Sequence, residues 1–419
     1  MSRPRAHLVI TGSELVRGER TDLNGPFLAR QLLALGFEPA RISIVGDRAD
    51  ELEEALREGM RADLCVVSGG LGPTHDDRTI ELLARAAGVA LRVDDSLERE
   101  IEGISRGHSE RTRRPYADYA PGVRKQATLP EGAFAVGIAG TAPCVLLPLP
   151  GDCAAVALPG PPNELQRLWP LAVEHPAFRP LLRRAQPPGR RVLRFFGVGE
   201  SAVARAFDSA GGDGDGVEVT ICARDFEIHV DLVVEPGADA RADTIERALL
   251  AANGEYLFAR DERPVEELVL ALCRARGLTL ATAESCTGGL VGGRLTAVPG
   301  SSDVFLGGVV AYANSVKQAQ LGVPAALLAE HGSVSAQTAA AMAQGARERI
   351  GADVAVAITG VAGPGGGTSE KPVGLVHFNA AGPDGALALD WTLSADRETV
   401  RRRAASSALH LVRRLLSQS

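Results

Sequence analysis

Short apolar runs alternate with stretches of helical periodicity along most of this chain, which predicts strands joined by helices. In the first part, residues 8–11, 41–45 and 63–68 read as strands. Residues 22–35 read as a helix, with Leu28, Leu32 and Leu35 on one face and Gly36 as its stop. Residues 51–60 and 78–87 read as two more helices. This order implies a mostly parallel sheet, whose ligands sit beyond the carboxyl ends of the strands.

The pattern changes after residue 168, where Pro170, Pro176, Pro180, Pro187 and Pro188 break the chain. Strands at 191–196, 217–222 and 227–234, with helices at 200–207 and 241–252, predict a small α+β module. A short polar segment, 260–264, leads into a third stretch. There a helix begins at Val265 and stops near Gly277, followed by an apolar strand at 278–281 and a helix at 290–298. Next come a strand at 304–313, a short helix at 315–321 and a helix from the N-cap Ser335 to Arg349. Strands at 353–359, 374–379 and 386–393 precede a closing amphipathic helix at 396–416. The expected domains are 1–168, 169–258 and 259–419.

Composition narrows the class. The 419 residues are 45% hydrophobic and 23% charged, as in an ordinary globular protein, and no apolar run reaches the length of a membrane span. A net charge of −7 predicts no broad face for nucleic acid. Residues 1–7 carry charge but no apolar signal-peptide core. Cys65, Cys144, Cys153, Cys222, Cys273 and Cys286 form no C-x-x-C pair, which predicts reduced thiols in a cytoplasm rather than a zinc site. Of 45 basic residues only Lys125, Lys317 and Lys371 are lysine. In a chain that otherwise uses arginine, a retained lysine is a candidate for a task arginine cannot perform, such as giving up its proton.

The stretch richest in candidate chemistry is Ala283-Glu284-Ser285-Cys286-Thr287-Gly288-Gly289. It places Ser285 at a strand-to-helix turn, where the N–H groups of Thr287, Gly288 and Gly289 could hold an oxyanion. A serine N-cap followed by packing glycines would give the same pattern. Lys317 follows one helix and one strand later, so it can reach the same sheet edge as a base. Cys286 is the rival nucleophile. Tyr312 either lines the site or merely ends a strand. Thr359 and Gly360 end an apolar strand, a natural place for backbone contacts to phosphate or amide. Arg397 and Arg401 lie one turn apart at a helix start, as an anion site or, with Arg402 and Arg403, as a solvated basic end. In the first part, Gly69, Gly70 and Gly72, with Thr74, would let the backbone approach a phosphate or pterin. Asp76 and Asp77 could hold a hard cation or cap the following helix.

On four of these motifs (residues 283–289, 310–317, 355–367 and 396–401), residues 265–415 resemble the C-terminal domain of the CinA family. The resemblance implies deamidation of nicotinamide mononucleotide, with Ser285 as nucleophile, Lys317 as base and no cofactor. Residues 6–168 resemble the molybdopterin-binding fold of the MogA and MoaB proteins and of the CinA N-terminal domain. The matching pieces are Thr11-Gly12-Ser13-Glu14, residues 69–77 and residues 158–165. That likeness implies a three-layer α/β domain that hydrolyses ADP-ribose with magnesium or a transition metal, held by Asp76, Asp77, Glu164 and Glu14. Two departures stand out: Ser13 replaces the usual Asp, and Gly137 and Cys144 flank the 140–143 turn where the family tends to show Asn and Gly. Residues 169–258 are similar to the family's KH-like α+β middle domain but lack a GXXG clamp, which implies a spacer or dimerising role. The chain is thus expected to be a multidomain α/β protein that binds small nucleotides and forms a homodimer, without membrane or nucleic-acid partners. The alternative is a non-catalytic molybdopterin- or nucleotide-binding protein linked to competence.

Overall fold

A computed structural model describes residues 3–418, which divide into two compact units, Met1–Gly189 and Arg190–Ser419. The first unit is built on a six-stranded sheet. Its order is Glu38–Val45, Arg5–Thr11, Leu64–Ser68, Cys153–Leu158, Ala142–Leu149, Phe134–Ala139. The first four strands are parallel and the last two antiparallel, and the pattern had marked only the first three. Successive residues serve opposite cores: Val9, Val67 and Ala155 pack with Leu56 and Leu82, whereas Leu8, Val66 and Val156 pack with Leu28 and Trp169. Helices therefore cover both faces, which is why the inner strands are apolar throughout.

The expected boundary at residue 168 falls inside the helix Pro162–Glu174. Pro170 lies within that helix, and the following prolines open short helical turns at Pro176–Phe178 and Arg179–Arg184 rather than a linker. Trp169, Phe178 and Leu181 are buried in the core of the first unit. At roughly 2 kcal/mol each, their burial is comparable with a large share of a domain's net stability.

The second unit holds two sheets. The smaller has the order Val217–Arg224, Glu227–Val234, Gly189–Phe196, Leu257–Ala259, with helices Glu200–Ser209 and Asp239–Asn253. The larger has the order Phe305–Val310, Leu280–Glu284, Val354–Gly360, Leu375–Gly382, Gly385–Thr392. Its first three strands are parallel and its last two antiparallel. Helices Val265–Arg276 and Arg397–Ser417 cover one face, and Ala336–Ile350 the other. The two sheets are joined through His410 of the long C-terminal helix. Its ring stacks on Phe196 at 3.8 Å, and its Nε2 donates to Glu227 at 2.8 Å. His229 donates to the other oxygen of Glu227 at 2.9 Å. Burial holds the His410 ring neutral, its pKa lowered to about 4, so the carboxylate has two imidazole donors.

The boundary at Gly189 makes a direct prediction. A fragment spanning residues 3–189 should unfold in urea as one cooperative transition, followed by circular dichroism. One ending at residue 168 should show no cooperative transition, because it lacks the Trp169, Phe178 and Leu181 packing.

Candidate active site

Leu280–Glu284 is the inner strand of the parallel set, flanked by Phe305–Val310 and Val354–Gly360. Its end delivers Ser285 to the carboxyl edge of the sheet, where the Ser285 N–H donates to Ile358 O at 2.9 Å. The neighbouring strand leads through Ala311 and Tyr312 into the helix Asn314–Leu321, which carries Lys317. These two crossings bring Lys317 Nζ to 3.1 Å from Ser285 Oγ. Ser285 is 8% exposed and Lys317 only 1%.

The amine has two further neighbours, Ala311 O at 2.7 Å and Tyr312 O at 3.3 Å. A neutral amine has two N–H donors and one lone pair. With the donors directed at the two carbonyls, the lone pair faces the serine hydroxyl. Burial lowers the Lys317 pKa from its ordinary value. The two carbonyls also suit an ammonium, so desolvation is what favours the neutral form. Cys286 is buried next to the serine, and burial pushes its thiol up to about 12. It is therefore a poor source of thiolate at neutral pH.

Glu284 has a part that the sequence analysis did not assign. Its carboxylate is buried and accepts from the N–H groups of Gly289 at 2.9 Å, Val291 at 3.1 Å and Gly292 at 2.8 Å. It thus neutralises the start of the helix Leu290–Thr296 and pins the turn carrying Ser285. This corrects the expected oxyanion donors. The N–H of Gly289 belongs to Glu284, and that of Gly288 donates to Ser285 O at 3.1 Å. Of the three expected donors only Thr287 lacks an oxygen partner. The signal for Glu284 was an acidic residue between a buried strand and a helix start, which reads as a helix-terminus carboxylate.

The other candidates divide. Arg397 donates to Gly363 O at 2.7 Å and to the Tyr312 hydroxyl at 2.8 Å, so these two side chains meet at the rim, with Tyr312 61% exposed. Arg401 donates from Nε to Cys286 O at 3.0 Å and from Nη2 to Thr287 O at 2.9 Å. The helix start beside them is capped by the Asp396 carboxylate, which accepts from Thr399 N, so it is not an open anion site. Thr359 is buried, and its hydroxyl donates to Ser333 O at 2.6 Å. Gly360 lies within its strand, paired with Val376, and a side chain there would strike Leu375 O. Both end their strand as expected, with the Thr359 hydroxyl engaged and the side of Gly360 closed by backbone. Lys371 donates to His331 O at 2.6 Å, holding the end of the helix Ala325–His331.

In the first unit Gly70, Gly72 and Asp77 line one cleft, but the four expected metal ligands do not converge. The Thr74 hydroxyl lies within hydrogen-bond reach of the Asp76 and Asp77 carboxylates, with one proton to donate between them, and its N–H donates to Asp77 at 3.0 Å. This hydroxyl lowers the pKa of Asp76, and Lys125 donates to Thr74 O. The loop thus satisfies itself. Gly69 and Gly70 take positive φ angles of 108° and 66° as the chain turns against Thr11 and Thr79, and the side of Gly72 is filled by Asp77. Asp77 lines a cleft of about 290 Å³ with Leu71, Ile80, Lys125 and Gln126. Glu14 lines a different cleft, of about 490 Å³, with Thr11, Arg20, Asn24, Ser68 and Gly160. Glu164 faces Gly140, and burial raises its pKa. Among the described residues no group of three or more His, Cys, Asp or Glu side chains is disposed to hold a metal ion. Asp76, Asp77, Glu164 and Glu14 do not fit a divalent cation as placed. The change at Ser13 has a local answer: Ser13 Oγ donates to Asp47 at 2.6 Å, and Thr11 donates to the same carboxylate.

Fold and site together define a two-unit α/β protein with a buried serine–lysine pair in its C-terminal sheet. Residues 7–184 match the family model described as "Probable molybdopterin binding domain", and residues 262–416 match the CinA C-terminal domain. A CinA-like protein from Mycolicibacterium paratuberculosis is 43% identical over 433 aligned positions, covering 99% of both chains. One from Mycobacterium marinum is 42% identical, again over 99% of both. The chain belongs to the CinA-like family. Among solved structures, a competence/damage inducible protein from Agrobacterium tumefaciens is 42% identical, with a TM-score of 0.36, covering 38% of this chain and 100% of its own. No helix among the described residues is long and apolar enough to cross a membrane.

The buried amine predicts a pH-dependent stability. The folded state lowers the pKa of Lys317, so above neutrality the unfolded state binds more protons at this position and wild-type stability rises with pH towards the ordinary lysine value. Urea unfolding of wild type and Lys317→Met between pH 7 and 10 should therefore show the difference (wild type minus variant) increasing with pH. The slope should not exceed about 1.4 kcal/mol per pH unit.

Proposed function

We propose that the chain deamidates nicotinamide mononucleotide to nicotinic acid mononucleotide and ammonia at Ser285. The observation that carries this reading is the Lys317 amine, 3.1 Å from Ser285 Oγ and oriented by two carbonyls. Family membership supports it, through the resemblance of these motifs to the family's deamidase domain.

In the reaction, Ser285 Oγ attacks the carboxamide carbon while its proton passes to Lys317 Nζ. The tetrahedral intermediate collapses as Lys317 returns the proton to the leaving nitrogen, which departs as ammonia. Water then attacks the acyl-serine as Lys317 takes its proton, and Lys317 passes that proton to Ser285 Oγ, which leaves as the free hydroxyl. Ionised Lys317 is needed only transiently, so a buried amine of lowered pKa suits both halves. Arg397 and Tyr312, which hydrogen-bond to each other at the rim, would take the phosphate and ribose end of the substrate in this reading.

The test is ammonia release from nicotinamide mononucleotide by the purified protein, without added metal. Ser285→Ala should lose on the order of a thousandfold or more in kcat, whereas Cys286→Ala should retain most activity. Lys317→Arg keeps a cation but offers no neutral amine, and should slow the reaction at least ~100-fold. Activity that survives Ser285→Ala but not Cys286→Ala would make the protein a thiol amidase. No ammonia from wild type would overturn the reading.

A further inference from the structure

Arg401 is the residue whose expected and observed surroundings differ most. As an anion ligand its guanidinium would face an open cleft. Instead it lies against the backbone of the serine turn, bonded to the carbonyls of Cys286 and Thr287, and it pairs with no carboxylate among the described residues. Gly288 permits this approach: it takes φ 61°, and a side chain there would meet Arg401 Nη2 at 3.3 Å.

A trans peptide is planar, with its N–H antiparallel to its C=O. Fixing the Cys286 carbonyl on Arg401 therefore turns the Thr287 N–H to the opposite side. Fixing the Ser285 carbonyl on Gly288 N–H does the same for the Cys286 N–H. These two N–H groups have no oxygen partner among the described residues. The remaining candidates are all claimed: Ser285 N–H by Ile358, Gly288 by Ser285, and Gly289, Val291 and Gly292 by Glu284.

We propose that Arg401 is a positioning residue that clamps the 286–287 peptide so that the Cys286 and Thr287 N–H groups form the oxyanion hole of Ser285. It also draws electron density from the Cys286 carbonyl, which sharpens the Thr287 N–H as a donor. The inference rests on Ser285 being the nucleophile but not on which amide is the substrate. It separates the two arginines by role: Arg401 serves the transition state and Arg397 the substrate's anionic end.

The experiment uses the full chain and two probes. With nicotinamide mononucleotide, Arg401→Ala should lower kcat about 100-fold, the low end of losing an oxyanion donor, and change KM by less than about threefold. The riboside, which lacks the phosphate, should be slowed by the same factor. A phosphate ligand behaves oppositely: KM would rise, kcat would hold, and the riboside would be indifferent to the substitution. That pattern would overturn the proposal. The second probe is an alkyl fluorophosphonate, which forms a Ser285 Oγ–P bond, expels fluoride and places a phosphoryl oxygen where the oxyanion would sit. Its labelling rate, read by intact mass, should fall in Arg401→Ala by a similar factor and recover partly with added guanidinium. If wild type labels at Ser285 but releases no ammonia, the deamidase reading fails while the clamp is still tested. Arg401→Lys covers the case in which the alanine variant does not fold: it restores one donor, and labelling should lie between wild type and alanine. Unchanged labelling in a folded variant would refute the clamp.

Discussion

A buried lysine amine with no carboxylate partner among the described residues is the constraint on which the C-terminal domain depends. Lys317 is buried almost completely, yet it meets only two carbonyls and one hydroxyl. A buried ammonium without a carboxylate partner is expensive, and the protein meets that cost with no acidic side chain beside it. In its neutral form this nitrogen has one direction left for its lone pair, towards Ser285. A carboxylate in contact would have fixed the proton on the lysine and removed the base.

The surroundings preserve that arrangement from two sides. Glu284 ties down the turn below the serine by taking three N–H groups, and Arg401 holds it from the C-terminal helix. The same helix carries Arg397 to the rim and, further along, His410 into the smaller sheet. One helix thus joins the rim, the serine turn and the middle module, so displacing it would disturb all three.

Much of this was legible in the sequence, for identifiable reasons. The inner strands were continuous apolar runs, and the Ser285 and Lys317 positions followed from counting one helix and one strand between them. The scarcity of lysine marked Lys317 before any coordinates did. What failed depended on side chains meeting across long separations. Periodicity cannot say that Arg401 turns onto residues 286 and 287, that Glu284 claims the next helix's N–H groups, or that Thr359 points to Ser333. The same limit applies to Asp76 and Asp77, whose sequence suggested a cation but whose nearest partner is Thr74. Prolines misled at 168–188 because they open helical turns as readily as they interrupt a chain.

The claim that Lys317 is a lowered-pKa amine can be measured without any substrate. With only three lysines in the chain, lysine labelled at 13Cε gives a spectrum simple enough to assign by substitution. One resonance should vanish in Lys317→Met, and its pH titration should have a midpoint clearly below the ~10.4 of a solvated lysine. A midpoint for that resonance at or above the solvated value would contradict the account, because the buried amine would then hold its proton at neutral pH and could not accept one from Ser285.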